Sequence, residues 1–305
     1  MKYDQHLTTK PSEGYALIDS GENMKLERFG EAVIARPETQ ALWAKQKPEL
    51  WSDTHAVFAF GGETRGSWDV RKPLPDPWLV RAHELTLLAR LTNFKHTGIF
   101  PEQAPNWEWS REQIAACITT HQNVGRTTSD IGPERPKVLN LFGYTGAASV
   151  AAAQAGAAVT HVDSSKQSVD WAHENARVSG LSEDAVRWIL DDALAFAKRE
   201  VRRGATYDGI ILDPPAFGRG GKGEVWKIEE DLPALLSVLK ELLSEDPGSF
   251  FLLNGYAAGY APRSFAQAVE SAFGDVDGAC GELLIKESST ERVIPAGIYV
   301  RFVRE

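Results

Sequence analysis

The chain has 305 residues, 43% of them hydrophobic and 25% charged, long enough for one large domain and one smaller one, each with its own core. Its formal net charge of -9 argues against unspecific nucleic-acid binding through the bulk surface, because phosphate contacts need clustered Lys and Arg. Two widely spaced cysteines, Cys117 and Cys280, and seven scattered histidines offer neither a disulfide framework nor the ligand spacing of a metal site, so no metal is expected.

The start, Met1 to His6, is polar, and no apolar run approaches the ~20 residues that a membrane-spanning helix needs. This predicts a soluble, cytoplasmic protein with no membrane contact. Charge is unevenly spread: residues 1–104 carry 13 Lys or Arg against 14 Asp or Glu, leaving 20 against 28 for the remainder. A polyanionic substrate would rely on local patches or on the first part of the chain.

The first 95 residues alternate short β-like runs with turn signals. Tyr15 to Asp19 comes first, then Ala32 to Ala35 before Pro37, then Ala56 to Phe60 before Gly61-Gly62, which predicts a small β-rich domain over 1–95 that offers a surface for substrate. Six of the nine tryptophans (Trp43, Trp51, Trp68, Trp78, Trp107 and Trp109) fall before residue 110. Such aromatics fill a small core or stack on bases, and core filling is the preferred reading.

From about Arg111 the pattern changes to helices alternating with short, continuous apolar runs, the mark of a parallel sheet covered on both faces. The strands are expected at Val138 to Phe142, Val159 to Val162, Val186 to Leu190, Gly209 to Leu212 and Phe250 to Leu253, then Glu282 to Lys286 and Ile298 to Phe302. Leu232, Leu235, Leu236, Leu239, Leu242 and Leu243 repeat at helical spacing, with Asp231 as the candidate cap. The last two runs are joined by a short polar segment and should pair antiparallel. The second domain spans 96–305.

The first of these strands runs into Asn140-Leu141-Phe142-Gly143-Tyr144-Thr145-Gly146 and then a helix of small residues from Ala147. Glycine permits close backbone approach there, and the junction aims free N–H groups of a helix start at a ligand. The second strand ends at Asp163-Ser164, where a carboxylate can accept both hydroxyls of a ribose. A dinucleotide fingerprint would need a middle glycine beside the pyrophosphate. Tyr144 and Thr145 stand between the glycines instead, which favours a pyrophosphate-free nucleoside over NAD.

The third strand ends in Asp191-Asp192. One carboxylate can accept from an adenine amino group while the other caps the next helix, and Asp192 is the preferred adenine contact. The fourth ends in Asp213-Pro214-Pro215-Ala216-Phe217, where the prolines fix a rigid frame at the carboxyl edge of the sheet, the edge at which open α/β sheets bind ligands. A glycine-rich loop, Gly218 to Gly223, follows with Arg219 and Lys222. It reads either as a mobile lid meeting substrate phosphates or as a solvated surface loop.

Together these residues resemble the class I S-adenosylmethionine-dependent methyltransferases, and within them the bacterial 23S ribosomal RNA methyltransferases that modify cytosine C5 or guanine N7. The resemblance covers roughly Lys95 to Glu305. It extends to Phe94-Lys95-His96-Thr97-Gly98-Ile99-Phe100-Pro101-Glu102-Gln103, which looks like the family's Lys-Thr-Gly-Phe…Asp-Gln-Arg cofactor motif with His96 inserted, Glu102 for Asp and Ala104 for Arg.

The resemblance implies an α/β fold, a Rossmann-like seven-stranded sheet with an antiparallel last strand, plus the small N-terminal β-rich domain. It implies S-adenosyl-L-methionine as cofactor, with Asn140, Phe142, Gly143, Tyr144, Thr145 and Gly146 at the methionine end. Asp163 and Ser164 would hold the ribose and Asp191 and Asp192 the adenine, while Phe100 and Gln103 would help enclose the ligand. Asp213, which also borders the cofactor, Pro214 and Phe217 would face the acceptor, with Arg219, Lys222 and Asn254 binding substrate.

Methylating cytosine at C5 requires a thiolate that adds to the ring. No cysteine follows the fifth strand, which ends Leu252-Leu253-Asn254-Gly255-Tyr256, or lies at Asp213 to Phe217. Cys117 and Cys280 read as buried small apolar residues. The expected activity is therefore methylation of RNA, ribosomal RNA above all, at a nitrogen acceptor. A small-molecule or protein methyltransferase is the alternative, and a non-catalytic adenosyl-binding module is a third reading.

Overall fold

The computed structural model describes residues 1–61, 66–123, 127–128, 132–219, 225–256 and 259–305. The chain forms two compact units, a smaller one of Thr8–Ala104 with Leu283–Ala296, and a larger one of Met1–Leu7, Pro105–Glu282 and Gly297–Glu305. These units differ from a single break at residue 95 in two places. Residues 90–104 belong to the smaller unit because Arg90 N–H donates to the Thr97 carbonyl and Thr9 Oγ1 to that of Pro101. Residues 283–296 join it as well, since Ser20 Oγ donates to Glu287 at 2.5 Å and Ser288 N–H to the Leu17 carbonyl.

β1 (Leu7–Thr9) is followed in the smaller unit by β2 (Tyr15–Gly21), β3 (Met24–Phe29), β4 (Ala32–Pro37), β5 (Ala56–Phe60) and β6 (Gly66–Val70), which form one sheet in that order from β2. β7 (Leu79–Ala82) and β8 (Leu85–Leu88) make a separate hairpin. The tight turns Glu22-Asn23 and His83-Glu84 have positive φ at each central residue, the backbone twist that suits two-residue hairpins. Trp78 is buried, and the indole N–H groups of Trp43, Trp51, Trp68 and Trp78 all donate within the unit. Trp78 fills the core, and the half-buried Trp43, Trp51 and Trp68 tie its edges.

The sequence pattern passes over β3 because Lys25 and Glu27 look solvent-directed, yet both are buried. They are tolerated as a neutralising cluster. Glu27 accepts from Arg36 Nε at 2.5 Å and Nη2 at 3.0 Å and from Tyr15 Oη at 2.8 Å, while Lys25 Nζ lies 3.2 Å from Glu38. Against burial, which raises it, the charges of Arg36 and Lys25 hold the Glu27 carboxyl at about 2. Glu102, also buried, makes no ion pair of this kind among the described residues. Burial pushes it up to about 7, over the opposing charges of Lys25 and Arg36.

A carboxyl raised in the fold favours folding fully below its ordinary range and loses that contribution as pH rises through about 7,. Glu102→Gln should therefore raise the melting temperature at pH 8, by an effect of roughly 3 kcal/mol for a shift of this size, and change it little at pH 5. Thermal melts at the two pH values check this, and equal shifts at both would contradict it.

In the larger unit, α1 (Ala104–Asn123) and a short ladder of β9 (Thr127–Thr128) and β10 (Gly132–Pro133) precede the main sheet. Then come β11 (Lys137–Leu141), α2 (Ala147–Gln154), β12 (Ala158–Asp163), α3 (Lys166–Val178), β13 (Val186–Leu190), α4 (Ala193–Arg202) and β14 (Gly209–Leu212). The chain continues through β15 (Phe217–Arg219), β16 (Val225–Lys227), α5 (Ile228–Leu242), β17 (Phe250–Gly255), α6 (Pro262–Phe273), β18 (Gly278–Lys286) and β19 (Val293–Val303).

The sheet order is β1-β18-β19-β17-β14-β11-β12-β13. Strands β17, β14, β11, β12 and β13 are parallel, and β19 runs antiparallel to β17. The α/β sheet with an antiparallel last strand is as expected, with one strand added. β1 makes the eighth, and its three residues are too few to show a pattern. Side chains of α4, α5 and α6 cover one face through Phe196, Leu235, Leu239 and Phe265, and α1 and α2 the other through Ile114, Cys117 and Ala152.

α5 begins earlier than its leucine repeat suggests. Asp231 lies inside its first turn and reaches back to accept the Lys227 N–H at 2.8 Å, satisfying one of the donors that a helix start leaves open. Among the described residues no helix is long and apolar enough to cross a membrane.

Candidate functional site

The strand order reverses beside β11, with β14 on one side and β12 on the other. Such switch points place strand-end loops around a crevice. The loops here are Phe142 to Gly146 after β11, Asp163-Ser164 at the end of β12, Asp191-Asp192 after β13 and Asp213 to Ala216 after β14. The sequence-predicted residues of the larger unit from Asn140 to Phe217 thus come to one edge of one sheet.

The turn after β11 is bent hard. Phe142 and Tyr144 have φ of 54° and 48°, and Gly146, which begins α2, has 83°. Non-glycine residues in that region cost about 1–3 kcal/mol each and persist only where the surroundings hold them. Here Gly143 N–H donates to the Val162 carbonyl at 3.0 Å, Gly146 N–H to that of Gly143 at 2.9 Å, and Tyr144 N–H to Asp163 Oδ2 at 2.9 Å. Asn175 Nδ2 donates to the Thr145 carbonyl at 2.8 Å.

Behind the turn lies a buried polar chain that the sequence reading missed. The parallel register sets Asn140 directly opposite His161. Asn140 Nδ2 donates to Ser149 Oγ at 2.8 Å, and Ser149 Oγ lies 3.0 Å from His161 Nδ1. Burial holds His161 down at about 3, so it is neutral. Gly143 rests on this ring, and a Cβ built there would stand 2.4 Å from His161 Cε1. An inward polar residue at the same strand level as Asn140 was the available signal.

Asp163 Oδ1 accepts the Ser165 N–H at 2.8 Å while Oδ2 holds Tyr144. Burial raises the carboxyl, and the Ser165 and Tyr144 N–H groups oppose it. Each oxygen keeps a lone pair for a further donor. Ser164 beside it is exposed. In the next loop the cap falls to Asp192, whose Oδ1 accepts the Ala195 N–H at 2.8 Å, while Asp191 pairs with Arg199. The cap thus falls to the residue preferred as the adenine contact, and one Asp192 oxygen is committed to the helix.

Around Asp213 the N–H reaches the Leu141 carbonyl at 3.4 Å. Pro214 is buried, and Phe217 is 55% exposed. The segment after it is a β-hairpin at its base, with Phe217 opposite Lys227 and Gly218 opposite Trp226. The side chain of Arg219 and the whole of Lys222 lie outside the described residues. Asn254, expected to meet substrate, is buried and its Oδ1 accepts from Asn106 Nδ2 at 2.7 Å, Asn106 in turn accepting from Arg301. Phe100 and Gln103 belong to the smaller unit, where the Phe100 ring lies 5.1 Å from that of His96 and Gln103 ends a short 3-10 turn.

α2 starts at Gly146 with no side-chain cap, so its first N–H groups suit an anionic ligand group. An uncapped helix start and a desolvated carboxylate held by the same turn fit a nucleoside that carries a carboxylate arm, which is the chemistry of an adenosyl group joined to methionine.

Known proteins are similar to this chain. The S-adenosylmethionine-dependent methyltransferase family profile matches residues 66–285. A crystal structure of an S-adenosylmethionine-dependent methyltransferase from Agrobacterium tumefaciens is 36% identical with a TM-score of 0.88, covering 100% of this chain and 95% of its own. The protein called ribosomal RNA large subunit methyltransferase K/L is similar over part of the chain. In Shewanella pealeana it is 40% identical over 124 residues, 39% of this chain and 17% of that protein. In Syntrophotalea carbinolica it is 32% identical over 177 residues, 57% and 22%. The matches span about a fifth of those relatives' length. The chain belongs to the S-adenosylmethionine-dependent methyltransferase family, and S-adenosylmethionine is its cofactor.

Proposed function

We propose that this enzyme methylates RNA, ribosomal RNA being the expected class, at a nitrogen acceptor and without a cysteine adduct. The observation that carries the second half is the position of the thiols. Cys117 Sγ donates to the Gly248 carbonyl at 3.1 Å, just before β17 begins and so at the sheet edge opposite Asp213. Burial pushes it up to about 11. Cys280 is buried near the start of β18, and burial raises it too. Neither is a thiolate at the acceptor turn.

The bound cofactor supplies an electrophilic methyl group on a sulfonium. The protein aligns the acceptor and excludes water. In this reading Asn140 and Phe142 to Gly146 hold the methionine end, Asp163 and Ser164 the ribose, and Asp192, with Asp191 behind it, the adenine. The exposed Phe217 ring offers a face on which a base stacks. Trp226 Nε1 holds the turn through the Pro215 carbonyl at 2.7 Å, and in this reading Asp213 and the Pro214 carbonyl face a donor on the base.

The RNA half is supported by the named activity of the K/L relatives and by Phe217 and Lys227 sharing the outer face of the hairpin. The acidic balance after residue 104 is what favours a small-molecule or protein acceptor instead. A Cys117→Ala, Cys280→Ala double variant should keep RNA methylation within about threefold of wild type, since general positioning rather than covalent catalysis is at work. Loss of methylation by a double variant that melts normally would overturn the non-covalent reading.

A further inference from the structure

We propose that Trp226 is a positioning residue that ties the acceptor turn to the cofactor turn. The inference rests on the roles just given to Phe142 and to Asp213 to Phe217. Trp226 is 7% exposed in β16. At one end its Nε1 donates to the Pro215 carbonyl at 2.7 Å, inside the Asp213 to Phe217 turn. At the other its ring centre lies 4.8 Å from that of Phe142 at 59°. Phe142 is one of the two residues held at positive φ beside Gly143.

One side chain thus touches both turns, which the sequence separates widely. The same strand end is fixed to the acceptor turn a second time, by the Ile228 N–H donating to the Ala216 carbonyl at 3.1 Å. Since residues alternate across a strand, Trp226 points inward while its neighbours Val225 and Lys227 share the outer face with Phe217. Any shift of the hairpin as a substrate seats on Phe217 is passed through the indole to Phe142. Reacting groups misplaced by about 1 Å lose on the order of 100-fold in rate, so a rigid strut between the two turns acts on turnover.

Two variants separate the ends of the strut. Trp226→Phe keeps a ring against Phe142 and removes the N–H. It should leave the dissociation constant for S-adenosylhomocysteine within about threefold while kcat for RNA falls about tenfold or more and KM changes little, the mark of lost alignment. Trp226→Leu removes the ring as well and should weaken S-adenosylhomocysteine binding about tenfold or more, because Phe142 loses the neighbour that holds its backbone.

Titration calorimetry, steady-state kinetics on ribosomal RNA and thermal melts read these out. Wild-type kcat and affinity in both variants would overturn the proposal. So would a parallel loss of kcat, KM and affinity in step with a lowered melting temperature, which is what mere destabilisation produces. If the wild type methylates no RNA, the RNA reading fails, and the contrast in S-adenosylhomocysteine affinity between the two variants still decides the strut.

Discussion

Asp163→Ala should weaken S-adenosylhomocysteine binding by about 100-fold, the loss of two charge-assisted hydrogen bonds at roughly 1.5 kcal/mol or more each. The carboxylate is held from behind by the Tyr144 and Ser165 N–H groups, so its remaining lone pairs are fixed for a diol. Asp163→Asn, which keeps one acceptor oxygen, should fall between wild type and the alanine variant. Calorimetric titration measures this, and unchanged affinity in Asp163→Ala would remove the ribose assignment.

Burial raises the Asp163 carboxyl, and only the ionised form accepts both hydroxyls. Affinity should therefore decline on acidification at a higher pH than an ordinary aspartate would give. For the fold alone the sign is opposite. The raised carboxyl adds stability below the ordinary carboxylate range and loses it as pH rises through its own value, so the cofactor meets a carboxylate that gains from being given partners.

Gly143→Ala should be strongly damaging to the larger unit. Its Cβ would lie 2.4 Å from Cε1 and 2.5 Å from Nδ1 of His161. The ring cannot retreat, being fully buried, tied to Ser149 at 3.0 Å and packed 4.9 Å from the Trp188 ring. Overpacking of this kind costs about 1–3 kcal/mol, equivalent to several degrees in melting temperature for a unit of this size. The displaced turn should also bind S-adenosylhomocysteine about tenfold more weakly or worse.

The same change in a His161→Ala background should cost much less, because the clash partner is gone. Melting curves and titrations of the four proteins make the cycle. A Gly143→Ala protein that melts and binds as wild type would contradict the packing account.

What the sequence made legible is what local chemistry dictates. β13, β14 and β5 fall on their expected spans because continuous apolar runs end at turn residues,. Asp163 and Asp213 stand where strands end, and a strand end in a parallel sheet is a position on the carboxyl edge. The glycines at 143 and 146 and the residues between them marked the turn as a candidate ligand site.

What stayed hidden depends on partners far away in the chain. β3 carries Lys25 and Glu27, which Arg36, Glu38 and Tyr15 make fit for burial. Which aspartate caps α4 turned on Asp192 reaching the Ala195 N–H while Asp191 pairs with Arg199 farther along the helix. His161 looked like one more residue inside a strand until the register placed it opposite Asn140. Asn254 sits at a strand end like the aspartates, but Asn106 on α1 claims it. Likewise nothing local announces that residues 283–296 complete the smaller unit.

The most direct measurement is transfer of tritiated methyl groups from S-adenosylmethionine to total RNA, protein and metabolite fractions of a strain lacking this gene. The account predicts label in RNA, ribosomal RNA foremost, on a base nitrogen, and absent from that fraction with Asp163→Ala. Label confined to protein or to small molecules would contradict it.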